Sequence, residues 1–159
     1  MTATFAHSAN ETLKVNYGGA FKLTDHQGNS VTDKDYLGQY MLVYFGYTNC
    51  PDICPTGLFT ITTAINDLGP KGEQITPLFI TIDPQRDTPT KLASYVKAFH
   101  PRMVGLSVNT QSTAKAAQAY NVMYSVLQLE DKYLVSHTGQ IYLVDPDGQY
   151  IDKFNHDIT

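Results

Sequence analysis

The stretch YMLVYFGYTNCPDICPTGL, residues 40–58, decides the fold of this 159-residue chain. Its first six residues are apolar, aromatic or β-branched without interruption, which is typical of a strand buried on both faces. A loop with two cysteines follows, and from Thr56 to Leu68 the apolar side chains recur at helical spacing until Gly69 and Pro70 end the helix. A buried strand that leads through a short loop into a helix is the basic unit of an α/β domain.

Further strand and helix patterns lie on both sides of this unit. Residues 21–31 alternate around turn residues at 26–29 and predict an N-terminal β-hairpin. The later patterns are, in chain order, a buried strand at 77–82, a helix from Pro89 to Phe99, a strand near Val104, a helix over 113–120, and strands at 123–127, 133–137, 140–144 and 150–151. Strands that first alternate with helices and then cluster indicate an α/β fold with a central mixed sheet flanked by helices.

Composition places the chain among ordinary globular proteins and excludes several functions. Hydrophobic residues make up 42% and charged residues 16%, and 159 residues suit one domain. The formal net charge is −4, which argues against binding to nucleic acid because phosphates attract basic surfaces. The chain contains no run of about 18 apolar residues, which a membrane-spanning helix needs. Residues 1–17 form a polar leader, and the domain is expected over residues 18–159.

The two cysteines of the chain lie in the sequence CPDICP, residues 50–55. A single pair in a chain of this length is not a disulfide framework, and a disulfide that closes so short a loop adds little stability. A helix N-terminus favours the thiolate, which attacks disulfides and binds soft metal ions. We expect Cys50 and Cys54 to share the first helical turn at the surface, with α-carbons about 6 Å apart, where they form a disulfide or hold one metal ion.

Two thiolates leave a metal ion short of ligands, so the five histidines are candidates for a third ligand. His7 lies in the polar leader, and His156 lies near the end of the chain without an assigned role. His26 is expected in the hairpin turn, and His100 at a helix end, where it can cap carbonyl groups. His137 stands at the end of a strand pattern and is the candidate ligand, although a strand-end histidine more often makes a structural hydrogen bond.

Residues 46–55, GYTNCPDICP, strongly resemble the copper-site loop of the Sco family of SenC-type copper chaperones for cytochrome c oxidase. The likeness continues through residues 18–21, 77–89 and 143–148, and it covers nearly all of residues 18–151 in the expected order. Four ordered motifs together are much more specific than a lone Cys-x3-Cys pair. The chain is therefore similar to Sco proteins over almost the whole of its predicted domain.

The resemblance implies a thioredoxin-like fold and a mononuclear copper site with one Cu(I) or Cu(II) ion per chain, held by Cys50, Cys54 and His137. Soft thiolates favour Cu(I), and two sulfurs with one imidazole suit a three-coordinate ion. Two departures from the family pattern leave these ligands in place. Asn49 stands where many members have histidine, and Ser136 stands where many have aspartate.

The resemblance also implies a metallochaperone, not an enzyme, that delivers copper to the binuclear copper site of cytochrome c oxidase during its assembly. The expected partners are the copper-bearing oxidase subunit, other copper chaperones and thiol reductases. Family members are usually tethered by an N-terminal membrane helix, so residues 1–17 are interpreted as a leader or linker from a removed anchor. The expected location is the bacterial periplasm at the inner membrane, or the mitochondrial inner membrane facing the intermembrane space.

Three further expectations concern residues outside this set of ligands. The family usually has a closing helix after the segment that corresponds to residues 155–159, so we expect an apolar patch on one face of the sheet that is either exposed or covered by a partner chain. The segment 83–89 is interpreted as a strand end, a loop and a helix cap without reactive groups. Three methionines are too far apart in the sequence for a methionine copper site and are expected in the core, namely Met41, Met103 and Met123.

An alternative function is a thiol–disulfide oxidoreductase that reduces target cysteines through a redox disulfide of Cys50 and Cys54. Thioredoxin-type enzymes use Cys-x2-Cys, so the additional residue here alters the geometry of the pair. Such an enzyme has no use for His137 as a ligand, and this histidine therefore separates the two functions. The peroxiredoxin pattern Pro-x3-Thr-x2-Cys fails, because Thr48 is only two residues before Cys50.

Overall fold

The computed structural model describes residues 17–107 and 109–158 of the chain. The predicted polar leader therefore lies outside the described residues, except for Tyr17. The elements are β1 (Lys22–Asp25), β2 (Ser30–Thr32), β3 (Tyr40–Gly46), α1 (Ile53–Asp67), β4 (Ile75–Thr81), α2 (Pro89–Lys97), β5 (Val104–Ser107), α3 (Thr110–Ala119), β6 (Tyr124–Gln128), β7 (Tyr133–His137), β8 (Gln140–Val144) and β9 (Tyr150–Asn155), with 3-10 helices at Asp33–Tyr36 and Gly69–Gln74.

A seven-stranded mixed sheet forms the centre of the fold, in the order β2-β1-β5-β4-β3-β8-β9. Strands β3, β4 and β5 run parallel, and the pairs β1–β5, β3–β8 and β8–β9 are antiparallel. The N-terminal hairpin β1–β2 pairs as predicted, with Leu23 opposite Val31. The predicted α/β fold, thioredoxin-like with helices flanking a mixed sheet, is confirmed.

Strands β3 and β4 form the middle of the core. Val43, Tyr44, Phe79 and Ile80 are fully buried, as the uninterrupted apolar runs of both strands predict. The two strands are parallel, with Tyr44 opposite Phe79. Their carboxyl ends therefore meet at one edge of the sheet, and the loop with the cysteines lies beside the loop that follows β4.

Strands β6 and β7 do not join the central sheet. They pair with each other in a separate two-stranded antiparallel sheet, with Tyr124 opposite His137. In β7 only one face is buried, unlike in the central strands β3 and β4: Val135 is buried, whereas its neighbours Leu134 and Ser136 are exposed. We call this unit the β6–β7 hairpin. His137 lies on the same face of β7 as the buried Val135, so it is directed toward the rest of the domain.

Helix α1 begins three residues earlier than predicted, at Ile53 instead of Thr56. The first four N–H groups of a helix have no partner within it, so Pro55 is tolerated within the first turn. The hydroxyl of Tyr44 donates to the carbonyl oxygen of Ile53 at 3.0 Å and ties the start of the helix to β3. The earlier start places Cys54, but not Cys50, in the helix.

Two expectations about apolar side chains have different outcomes. Met41 and Met103 are buried as predicted, but the prediction was wrong for Met123, which is 74% exposed, because it precedes the half-exposed β6–β7 hairpin. The expected apolar patch is present as a groove beside α1, lined in part by Leu42, Phe59, Ile141, Phe154 and Ile158.

Among the described residues, none of the helices combines the length and apolar character needed to cross a membrane.

The contact between α1 and β3 depends on a glycine. A Cβ atom on Gly57 would come within 2.7 Å of the ring of Tyr44, which is fully buried and cannot move aside. Replacement of Gly57 by alanine should therefore lower the free energy of unfolding by about 1–3 kcal/mol, although alanine is the better helix former. Urea denaturation checks this, with Thr63→Ala on the exposed face of α1 as the control that should be neutral or slightly stabilising. A Gly57→Ala protein as stable as the unchanged chain would contradict the close approach.

Candidate metal centre

The cysteine loop connects β3 to α1 through a tight turn. The backbone N–H of Cys50 donates to the carbonyl oxygen of Tyr47 at 3.1 Å, and Asp52 precedes the first helical residue. Cys50 therefore lies in this turn, and only Cys54 lies in the first turn of the helix. The expectation that both cysteines share that helical turn was wrong, because the chain turns after β3 before the helix begins.

Both cysteines are buried free thiols, Cys50 with 8% and Cys54 with 0% of its surface exposed. The expected surface position was wrong for both. The sulfur of Cys54 lies directly against the end of β3, since a Cβ atom on Gly46 would be 2.8 Å from it and 2.9 Å from the ring of Phe79. The loop backbone is polar and partly exposed, but its two thiols point into the core.

His137 reaches the cysteines from the β6–β7 hairpin, as predicted for a ligand from a strand end. Its Nε2 lies 3.0 Å from Sγ of Cys54, although the two residues are 83 positions apart. Its Nδ1 lies 3.0 Å from the carbonyl oxygen of Thr138. A carbonyl oxygen only accepts hydrogen bonds, so Nδ1 carries a proton, and Nε2 is the ring nitrogen that faces Cys54.

Aromatic rings enclose the imidazole. Tyr44 and Tyr47 both meet the ring of His137 edge-on, with centroids 6.3 Å and 5.9 Å away. The hydroxyl of Tyr47 also donates to the carbonyl oxygen of Val135 at 2.8 Å. The side chain of Tyr47 thus links the cysteine loop to the strand that carries His137.

Cys50, Cys54 and His137 form a cluster of three potential metal ligands. One ligand atom from each residue lies within 4.8 Å of the other two, and no other such group of three or more occurs within residues 17–107 and 109–158. Two thiolates and a neutral imidazole nitrogen are soft and borderline donors, which Cu(I) accepts in three-coordinate geometry. The residues present therefore fit a copper ion, whereas a structural zinc site would call for a fourth ligand.

The pKa values of the two thiols are shifted in opposite directions. The thiol of Cys54 donates to Cys50, which lowers the pKa of Cys50, even though burial alone would raise it. The same hydrogen bond, together with complete burial, raises the pKa of Cys54. In the reduced protein Cys50 is thus the more acidic of the two thiols, and a metal ion that binds both sulfurs must displace the proton of Cys54.

A buried carboxylate supports the cysteine loop, and sequence analysis did not assign it to the site. Asp87 is 1% exposed and accepts hydrogen bonds from the backbone N–H of Thr48 at 3.0 Å and from the hydroxyl of Thr81 at 2.6 Å. The only signal in the sequence is an acidic residue in a motif that the resemblance covers. A buried charge requires partners, but the sequence does not reveal which ones.

The other histidines of the described residues lie away from the cluster. His26 accepts from the backbone N–H of Gly105 at 3.0 Å, and His156 packs against Gly139. His100 is buried, which lowers its pKa, and its Nδ1 accepts from the N–H of Arg102 at 3.2 Å, so it does not cap carbonyl groups as expected. His7 lies outside the described residues.

The two departures from the Sco pattern also leave the cluster unchanged. The side-chain oxygen of Asn49 accepts from Nζ of Lys91 at 2.9 Å. Ser136 is exposed on β7, where alternation turns it away from the face that carries His137. Neither side chain adds a donor to the three ligands.

The chain is similar to known proteins over most of its length. The mitochondrial SCO1 homologue of Homo sapiens is 45% identical over 141 residues, which are 86% of this chain and 47% of the human protein. The structure of Bradyrhizobium japonicum ScoI with copper bound has a TM-score of 0.83 and 40% identity, and the match covers 90% of this chain and 92% of that one. Yeast Sco1 with copper bound gives a TM-score of 0.82 and 39% identity over 90% of this chain and 81% of that one.

These relatives are longer than the matched region, and the chain spans about half the length of the human protein. The model of the SCO1/SenC family matches residues 9–159, which include the described fold and all three clustered ligands. The chain belongs to the SCO1/SenC family.

Proposed function

We propose that the chain binds one copper ion through Cys50, Cys54 and His137 and delivers it to the binuclear copper site of cytochrome c oxidase during assembly of the oxidase. The observation that carries the proposal is the convergence of the three ligand atoms within 4.8 Å. Structures of Bradyrhizobium japonicum ScoI and yeast Sco1 that hold copper support the choice of metal. Membership of the SCO1/SenC family supports the choice of the oxidase as target.

The arrangement of ligands suits an ion that is carried and then released. Cys50 and Cys54 belong to one loop and helix, whereas His137 belongs to a separate hairpin. If the hairpin moves, the ion keeps both sulfurs and gains an open position for a ligand from another protein. We expect His137 to change its arrangement between states while the helix and prolines fix the cysteines.

The proposal includes where the chain works and what it meets. The domain is residues 18–159, and residues 1–17 are a leader or linker that follows a membrane anchor. The location is the bacterial periplasm at the inner membrane, or the mitochondrial inner membrane facing the intermembrane space. The receiving partner is the copper-bearing oxidase subunit, and other copper chaperones and thiol reductases supply the ion and keep the thiols reduced. The chain acts as a carrier and not as an enzyme.

Replacement of His137 by alanine tests the third ligand. The variant should lose at least about 100-fold in affinity for Cu(II), which needs the nitrogen donor, and less for Cu(I), which both thiolates still hold. Competition titration with a chromophoric chelator measures both constants. His26→Asn, which changes a histidine away from the cluster, should bind like the unchanged protein. Equal affinity of His137→Ala and the unchanged protein for both ions would refute the three-ligand site.

Oxidation of the cysteine pair tests the two sulfur ligands. A disulfide between Cys50 and Cys54 consumes both thiolates, so copper stoichiometry should fall from one ion per chain to none. Elemental analysis after anaerobic loading measures the stoichiometry, and addition of a reductant should restore it. Retention of copper by the fully oxidised chain would show that the ion binds elsewhere.

A thiol–disulfide oxidoreductase is the second candidate, favoured by the inequality of the two thiols. Cys50 would attack a target disulfide as the thiolate, and one target sulfur would leave with its electron pair and take up a proton. Cys54, once deprotonated, would then attack the mixed disulfide at Cys50 and release the second target thiol. The chain would end as a disulfide between Cys50 and Cys54, which a thiol reductase must reduce.

Alkylation of the reduced, metal-free protein tests this inequality. Because the pKa of Cys50 is lowered, its thiolate persists at pH values where an ordinary cysteine is protonated. The rate at which iodoacetamide alkylates Cys50 should therefore stay nearly constant from pH 8 to about pH 6. Cys54, which keeps its proton, should remain unmodified in peptide maps. Cys54→Ser keeps a hydrogen-bond donor to Cys50 and should preserve the flat profile, whereas Cys54→Ala should make the rate fall with pH. Equal labelling of both cysteines would contradict the assignment.

A further inference from the structure

The loop that follows β4, residues 83–87, contacts both elements that carry the ligands. At one end, the carboxylate of Asp87 accepts from the backbone N–H and the hydroxyl of Thr48, at 3.0 Å and 2.5 Å. Thr48 lies two residues before Cys50 in the cysteine loop. This end of the loop therefore holds the cysteines against the core.

The other end contacts the first residue of β7. Asp83 is 4% exposed, and its carboxylate accepts from the hydroxyl of Tyr133 at 2.6 Å and from Nε of Arg86. The guanidinium of Arg86 lies 3.9 Å from the centroid of the Tyr133 ring, and its Nη1 donates to the carbonyl oxygen of Tyr133 at 3.3 Å. Asp83, Arg86 and Tyr133 thus each contact the other two. Tyr133 is the first residue of β7, the strand that ends at His137.

Strand β7 pairs with another strand along one edge, and side chains from elsewhere in the domain hydrogen-bond to its carbonyl groups. Within the described parts of the chain, its strand partner is β6 alone. Two carbonyl groups of β7 accept from side chains, that of Tyr133 from Arg86 and that of Val135 from Tyr47. Residues 133, 135 and 137 are spaced two apart and therefore point the same way along the strand. The two contacts are made at the first two of these residues, and His137 is the third.

We propose that Arg86 is a positioning residue for the metal site: clamped between Asp83 and Tyr133, it holds the β6–β7 hairpin so that His137 faces the two cysteines. The inference rests on the proposed copper site and adds residues that contact neither the ion nor its ligands. The two ends of the loop act on different ligands. Loss of the Arg86 contacts loosens the start of β7 and makes the position of His137 less fixed. The hydrogen bond of Tyr47 to β7 and the contacts of Asp87 with the cysteine loop remain.

Arg86→Lys is the decisive variant, because lysine keeps the charge but lacks the planar fork that contacts Asp83 and the Tyr133 carbonyl together. Arg102→Lys is the matched control. Arg102 also uses its guanidinium to hold carbonyl groups, those of Gly72 and Ile75, but it does so away from the cluster. Tyr133→Phe removes only the hydroxyl bonded to Asp83, and it serves if the lysine variant does not fold.

The first measurement uses the reduced, metal-free protein. Hydrogen exchange of the amides of residues 133–137 should be about tenfold faster in Arg86→Lys, the effect of one lost hydrogen bond to a charged group, and exchange in β3 and β4 should not change. Tyr133→Phe should give a smaller change in the same direction. Unchanged exchange of the hairpin in Arg86→Lys, or an equal increase in Arg102→Lys, would overturn the inference.

The second measurement uses the copper-loaded protein. In Arg86→Lys the nitrogen hyperfine signal of Cu(II) in electron paramagnetic resonance should weaken, and Cu(II) should dissociate about tenfold faster, while anaerobic Cu(I) loading stays at one ion per chain. A signal and a dissociation rate identical to those of the unchanged protein would refute the positioning role. Failure of the unchanged protein to bind copper would refute the proposed function instead, and the exchange measurement would still decide whether Arg86 holds the hairpin.

Discussion

The contact between Cys54 and His137 is the constraint on which the metal centre depends. Sγ and Nε2 lie 3.0 Å apart, yet one atom belongs to a helix packed on the central sheet and the other to a separate hairpin. The hairpin is too small to be stable alone, since two strands bury little apolar surface. Its position must come from contacts with the rest of the domain, and the buried Val135 and the hydroxyl of Tyr47 supply two of them.

Parallel pairing of β3 and β4 explains why one edge of the sheet can hold all of these groups. The carboxyl ends of both strands meet there, so the cysteine loop and the loop of residues 83–87 lie side by side. Buried carboxylates are costly without partners, and Asp83 and Asp87 each find theirs in the elements that carry ligands. The same hydrogen bonds that satisfy buried charge therefore join the two halves of the centre.

Local patterns predicted much of this arrangement, and tertiary contacts explain the rest. The apolar run before Gly46, the start of α2 at Pro89 and the position of His137 at a strand end depend on neighbours in the sequence, and all three are found. The burial of Cys54 depends on Gly46 and Phe79, which meet only in the folded sheet. The separate hairpin and the contacts of Arg86 depend on packing between distant segments, which no spacing in the sequence encodes.

X-ray absorption at the copper K-edge of the reduced, Cu(I)-loaded chain tests the central claim most directly, because it counts the donor atoms around the ion. The account predicts a shell of two sulfurs and one nitrogen, and the nitrogen contribution should disappear in His137→Ala while both sulfurs remain. A shell of sulfur alone in the unchanged protein, or one with fewer than two sulfurs, would contradict a centre built from Cys50, Cys54 and His137.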